Sequence, residues 1–178
     1  KKLNESIFIS LTDHINSTID RYKNGIQLKN ALLWDIKRLY KDEFCIGVEA
    51  LKMIKEDLNI ELPEDEAAFI ALHIVNAELN EEMPNLMNMT KVMQEILNIV
   101  KYHYRIDFDE ESLSYYRFIT HLKFFAQRLF NGKTYTDKDD EIYDMIKIKY
   151  PIAYECVKKV EKFIKEKYTY DLTKEEKL

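Results

Sequence analysis

The chain has 178 residues, 46% of them apolar, and a formal net charge of −5. Only three glycines and three prolines leave little turn chemistry for a hairpin-rich fold, and no apolar run approaches the ~20 residues of a membrane-spanning helix. Residues 1–82 carry 10 basic and 16 acidic side chains, and residues 83–178 carry 17 and 16. The first half therefore repels a phosphate backbone and the second has no basic stripe, so direct nucleic-acid binding by this chain is not expected.

In chain order, Ile7, Leu11, Ile15, Ile19 and Tyr22 recur at helical spacing, and Asn24-Gly25 ends that first helix. Leu28, Leu32, Ile36 and Leu39 predict a second helix, and Phe44, Val48, Leu51, Ile54 and Leu58 a third. Pro63 followed by three acids predicts a helix start, continued by Phe69, Ile70, His73, Ile74 and Ala77. Met83-Pro84 interrupts the pattern and is the linker candidate. A long helix then carries Met89, Val92, Met93, Ile96, Val100 and His103 on one side. Asp109 is the expected cap of the next, which runs through Leu113, Tyr116, His121, Phe124 and Leu129 to Asn131-Gly132. The polar run Thr136–Asp140 is expected to open a further helix, and Pro151 to separate it from one carrying Ala153, Val157, Val160 and Ile164. Thr173 and Glu176 have capping-box spacing, so another helix is expected to begin there.

The halves repeat one another. At an offset of 107, His14, Arg21, Asn24 and Gly25 fall on His121, Arg128, Asn131 and Gly132. At an offset of 110, Ile36-Lys37 meets Ile146-Lys147, Tyr40 meets Tyr150, Ile54-Lys55-Glu56 meets Ile164-Lys165-Glu166, and Leu62 and Glu66 meet Leu172 and Glu176. This second register gives 9 identities in 34 ungapped positions. Amphipathic composition alone does not also align the His, Arg and Asn-Gly of one helix. The expected architecture is all-α, two tandem related helical bundles joined by a short linker. The first covers residues 1–82; residues 83–178 hold the linker and a second copy that is incomplete at its C-terminal end. Because the sequence opens on Lys1-Lys2 and runs straight into a helix, it reads as a piece of a longer protein.

His14 and Arg21 are seven residues apart, about 700° round a helix, so they share a face, as do His121 and Arg128. Imidazole is a competent nucleophile near neutral pH and guanidinium is a fork of donors for phosphate oxygens. The same pair also reads as a packed histidine beside a solvated arginine, and recurrence in both copies is a second observation for the reactive reading. His73 lies on the helix opened by Pro63 with Asn76 about 60° round from it; taken alone, His73 reads as the edge of a core stripe. His103, among Tyr102, Tyr104 and Arg105, has no counterpart in the first copy and reads as structural. No His-x3-His or Cys-x2-Cys spacing exists, so no metal site is expected. No phosphate-binding glycine loop exists, so neither a nucleotide-dependent enzyme nor a cofactor is expected. Cys45 and Cys156 lack a disulfide-framework spacing, which fits a reducing, cytoplasmic compartment.

Leu11-Thr12-Asp13-His14-Ile15 with Arg21-Tyr22 and Gly25, followed by Leu62-Pro63-Glu64-Asp65-Glu66 and Phe69-Ile70-Ala71-Leu72-His73, resembles a phosphotransferase regulation domain. Thr120 to Leu129 resembles the start of a second one. The resemblance covers essentially the whole chain and is to bacterial transcriptional antiterminators of the bgl/sac/lic type. It implies bundles of about five helices, each with two phosphorylatable histidines near a homodimer interface. It further implies that the phosphocarrier HPr and the phosphotransfer subunit of a sugar permease phosphorylate these histidines: His14 and His73, usually associated with inhibition by the permease, and His121, where phosphorylation by HPr usually favours activity. By helix spacing Arg21, Asn76 and Arg128 are the candidate phosphate neighbours. On the basis of the resemblance the chain is a regulator and not an enzyme. The RNA-binding domain of that family is not in this sequence, so RNA binding would belong to the parent protein. The repeat projects the second copy's partner of His73 to position 183. Two other readings stay open: the regulatory part of a phosphotransferase-controlled transcription activator, or a helical scaffold whose histidines only pack.

Overall fold

The computed structural model describes residues 3–80, 83–132 and 140–178. Among them are eight α-helices and no strand: α1 Ser6–Lys23, α2 Leu33–Leu39, α3 Lys41–Leu58, α4 Glu64–Leu79, α5 Met83–Tyr104, α6 Leu113–Asn131, α7 Asp140–Lys149 and α8 Pro151–Tyr168. The chain is all-α, as its composition and periodicity predict. It divides into two compact units, Lys1–Thr90 and Lys91–Leu178, so that α5 begins in the first and ends in the second.

In the first unit α4 is the central element. It is apolar nearly all round, and Ala67, Ala68, Ile70, Ala71, Leu72, Ile74, Val75 and Ala77 are all buried. Helices α1, α2 and α3 pack against it. Ile7 and Leu11 of α1 meet Ile70, Ile74 and Ala77 of α4, with Ala50 and Leu51 of α3 beside them. Gly47 of α3 lies so close to α4 that a Cβ there would stand 2.4 Å from the Ala67 carbonyl oxygen. Met83 and Pro84, the linker candidate, open α5; proline in a first helical turn removes an N–H that has no helical partner anyway. The turn after it still serves the first unit, where Leu86, Met89 and Thr90 are buried and Tyr40 reaches the Thr90 hydroxyl at 3.2 Å.

The second predicted helix is shorter than its apolar spacing suggests. Residues 26–30 are irregular. The buried carboxylate of Asp65, in the first turn of α4, accepts the Asn30 backbone N–H at 2.8 Å, and the Asn30 side chain accepts from the Leu32 N–H at 3.0 Å. Asn30 thus holds the chain in a local turn that competes with helix, and α2 starts only at Leu33. Gly25 and Gly132 adopt φ of 71° and 64° at the ends of α1 and α6, as the paired Asn-Gly sequences predict.

In the second unit Val92, Met93, Ile96 and Leu97 of α5, Ile119, Leu122, Phe125 and Ala126 of α6, and Cys156 and Ile164 of α8 are buried. The cap of α6 is Ser112 and not Asp109: the Ser112 hydroxyl accepts the Tyr115 N–H at 3.1 Å, whereas Asp109 accepts from the Glu111 N–H in the preceding turn. Ser112→Ala is expected to lower stability by about 1 kcal/mol, the usual effect of losing such a cap, read as a lower urea midpoint; Asp109→Ala should have a smaller effect. The polar run expected to open a helix lies outside the described residues apart from Asp140, the first residue of α7. Thr173 and Glu176 do form a reciprocal box, at 3.1 and 3.3 Å, over a single 3-10 turn.

Candidate functional site

Packing of α1 on α4 assembles the first unit's site. His14, Thr18 and Arg21 succeed one another on one face of α1, and Glu66, Phe69 and His73 on one face of α4. His14 Nε2 lies 3.0 Å from Glu66 Oε2, and the Thr18 hydroxyl donates to the same oxygen at 3.0 Å. Arg21 donates to Thr18 Oγ1 at 2.7 Å and stands 3.6 Å from the other Glu66 oxygen. The His14 and His73 ring centroids are 4.9 Å apart, and the Phe69 ring lies 5.6 Å from that of His14.

Glu66 has only 4% of its side chain exposed, where an unpaired carboxylate would be costly. Burial pushes its carboxyl up, but the hydrogen bonds from His14 and Thr18 and the charge of Arg21 more than offset this and hold it below its ordinary value. His73 goes the other way. Burial, reinforced by the neighbouring His14, pushes its pKa down to about 4, so its imidazole is neutral at pH 7 and has a lone pair to give. Its Nδ1 is buried without a hydrogen-bond partner. The site thus holds two histidines, a guanidinium and a carboxylate: a nucleophile for a phosphoryl group and a fork of donors for its oxygens. Asn76 lies on the same helix, half-buried, and among the described residues no hydrogen bond joins its side chain to either histidine.

His121 is exposed on α6 and lines a cavity of about 380 Å³ with Phe125, Arg128, Val160, Leu172 and Glu176. Arg128 Nε stands 3.6 Å from Glu176, whose side chain is 1% exposed. Glu176 also accepts from the Tyr170 hydroxyl at 3.0 and 3.1 Å. The phenol is pushed up to about 12, first by burial and then by the adjacent carboxylate. His103 shares a 3.0 Å hydrogen bond with the Ile152 carbonyl, from the end of α5 to the start of α8, and stacks edge-on with Tyr104.

Two residues of the first site are not singled out by the sequence. Glu66 is marked there by its alignment with Glu176, by the acidic helix start and by the resemblance, but not as a site residue; the structure turns the match with Glu176 into a shared feature, an arginine–glutamate pair in each unit. Thr18 has no such signal, since its counterpart in the second copy is Phe125.

The chain matches the PRD domain twice, over residues 1–77 and 94–178. It belongs to the PRD domain family. It is similar to the transcription antiterminator LicT of Bacillus subtilis, 65% identical over 178 residues, which is 100% of this chain and 64% of that protein. It is also similar to the beta-glucoside operon antiterminator of Dickeya chrysanthemi, at 51% over 98% of this chain and 62% of the relative. A third relative is the GlcA/glcB genes antiterminator of Staphylococcus carnosus, at 30% over 92% and 57%. The chain spans somewhat under two thirds of the length of these relatives. The two PRD matches carry His14, His73, Arg21 and Asn76 in the first and His121 and Arg128 in the second. Among the described residues no helix is long and apolar enough to cross a membrane.

Proposed function

We propose that this pair of PRD domains is the regulatory region of a bacterial transcriptional antiterminator, switched by reversible phosphorylation of His14, His73 and His121. The observation that carries the reading is the His14–His73 pair, 4.9 Å apart beside Arg21 and Glu66, in a chain similar to proteins named antiterminators. The donors are the phosphocarrier HPr and the phosphotransfer subunit of a sugar permease. The chain works in the cytoplasm as a homodimer and as a regulator, not an enzyme. RNA binding, the output, belongs to a part of the parent protein outside this sequence. Residues 1–82 form the first regulatory domain and 83–178 the linker and the second.

The physics of the switch follows from the neighbours. Phosphorylation adds about two negative charges with three strong acceptor oxygens. At His14 the nearby counter-charge is Arg21, which must choose between the phosphoryl group and the Glu66–Thr18 pair it now holds. The α1–α4 contact is thereby rewired. At His121 the counter-charge is Arg128, already engaged with Glu176. Opposite effects of one modification in the two domains are then a matter of which partner the arginine leaves. Aspartate at His14 or at His121 is expected to shift dimer affinity in sedimentation; no shift from either would remove the interface from the mechanism.

The test of the function is to treat the purified chain with phosphoenolpyruvate, enzyme I and HPr, adding a permease subunit. Acid-labile label is expected, reduced by alanine at each of His14, His73 and His121. Persistence of full label in the triple variant, or no label in the unmodified chain, would reject the reading and favour the scaffold.

A further inference from the structure

The two units place the same glutamate at the same point of the repeat and use it differently. Glu66 is the third residue of α4, the position from which a glutamate ordinarily bends back to bind the N–H of the helix-capping residue. The capping residue here is Pro63, which has no N–H. In the second unit the residue at that point is Thr173, and its N–H does bind Glu176, at 3.1 Å. Tyr170 and Arg128 occupy the rest of that carboxylate. Among the described residues no hydrogen bond reaches His121, whereas Glu66 reaches across to His14 Nε2 at 3.0 Å.

We propose that Glu66 is the positioning residue for His14: it holds the Nε2 proton, presents Nδ1 as the atom that takes the phosphoryl group, and is free to do so because Pro63 offers it no N–H. This rests on the phosphorylation reading above. Thr18, donating to the same Glu66 oxygen, and Arg21, 3.6 Å from the other, leave that carboxylate acceptor-only, so the proton between it and His14 resides on the imidazole. Among the described residues no hydrogen bond reaches His14 Nδ1. Its lone pair attacks the phosphorus of a protonated phosphohistidine on the donor. The new P–N bond forms as the donor's breaks, the electron pair returns to the donor imidazole, and the donor leaves neutral. His14 becomes the phosphorylated imidazolium, its Nε2 proton still in the hydrogen bond and its positive charge facing Glu66. No proton has to move during transfer. His121 lacks this arrangement and is not preset in either tautomer.

Imidazole ¹⁵N spectra of the 178-residue chain and of Glu66→Ala and Pro63→Thr test the tautomer, and ³¹P and ¹⁵N spectra after labelling from HPr with a permease subunit added identify the bonded nitrogen. Position 63 has φ −69° and ψ 156°, which threonine adopts without strain, so Pro63→Thr keeps Glu66 and the fold while offering the missing N–H. The expected result is an Nε2–H tautomer of His14 with the phosphoryl group on Nδ1. Both variants should move His14 toward a tautomer mixture and slow its labelling about tenfold, with His121 in the same molecules labelled at an unchanged rate. A His14 tautomer unaffected by Glu66→Ala, or a phosphoryl group on Nε2 in the unmodified chain, overturns the proposal. Absence of label on every histidine overturns the phosphorylation reading and the acceptor atom with it, while the tautomer comparison still decides whether Glu66 positions the ring.

Discussion

Gly47→Ala is expected to destabilise the first unit by about 1 to 3 kcal/mol, the usual range for overpacking a tight contact. On helix propensity alone the sign would be opposite, since alanine is preferred over glycine in a helix interior by about 1 kcal/mol. Geometry decides it. The added Cβ would stand 2.4 Å from the Ala67 carbonyl oxygen and 3.0 Å from its carbon, and those are backbone atoms of the central helix with no rotamer to change. Ala67 is fully buried among other α4 residues, so α4 cannot move away without opening the core behind it. Glu66 is the residue just before Ala67, and His73 lies nearly two turns further along. The clash therefore also weakens the register of α4 on α1 that joins Glu66 to His14. Urea unfolding followed by circular dichroism reads the loss, and amide exchange in α3 and α4 locates it. A variant as stable as the original would mean the two helices do not approach this closely.

Acid is expected to act on the same unit through His73. Its folded pKa of about 4 lies below the ordinary 6.5, so between those values the unfolded chain binds a proton that the folded chain refuses. Stability is therefore full above pH 6.5 and falls as the pH drops toward 4. From pH 7 to pH 5 the loss from this one group is about 2 kcal/mol. Glu66 adds to the fall at lower pH: its folded pKa is depressed, so its contribution is present above its unfolded value and is lost as the pH descends through the folded one. His73→Gln should remove most of the pH 7 to 5 difference in urea midpoint and leave the more acidic part of the curve in place. If the variant retains the full difference, the proton is taken up elsewhere.

The helices and their repetition are legible in the sequence because both depend on periodic apolar positions and a few chain-ending residues. Gly25 and Gly132, Pro63 and Pro151, and the Thr173–Glu176 spacing all serve as local signals. One misreading occurs where a distant residue decides a local question, the other where two local residues compete. Leu28 and Leu32 have helical spacing, yet Asp65, far along the chain, captures the Asn30 N–H and delays α2. Asp109 and Ser112 are both suitable caps, and the choice depends on which one meets the Tyr115 N–H. Of the first site, His14 and Arg21 are visible as a spaced pattern on one helix, and His73 through the family resemblance. The carboxylate that joins them sits on another helix, and only tertiary packing makes it a neighbour.

A duplicated gene segment starts with two identical switches, and identical switches carry no more information than one. The Pro63 and Thr173 difference shows how little sequence change is needed to separate them. On this proposal one codon at the start of a helix, altering no charge, reassigns a buried glutamate from its own helix end to a histidine on another. Selection acting on such a position can retune one copy while the other keeps its original chemistry, which is a short route from redundancy to two distinguishable inputs.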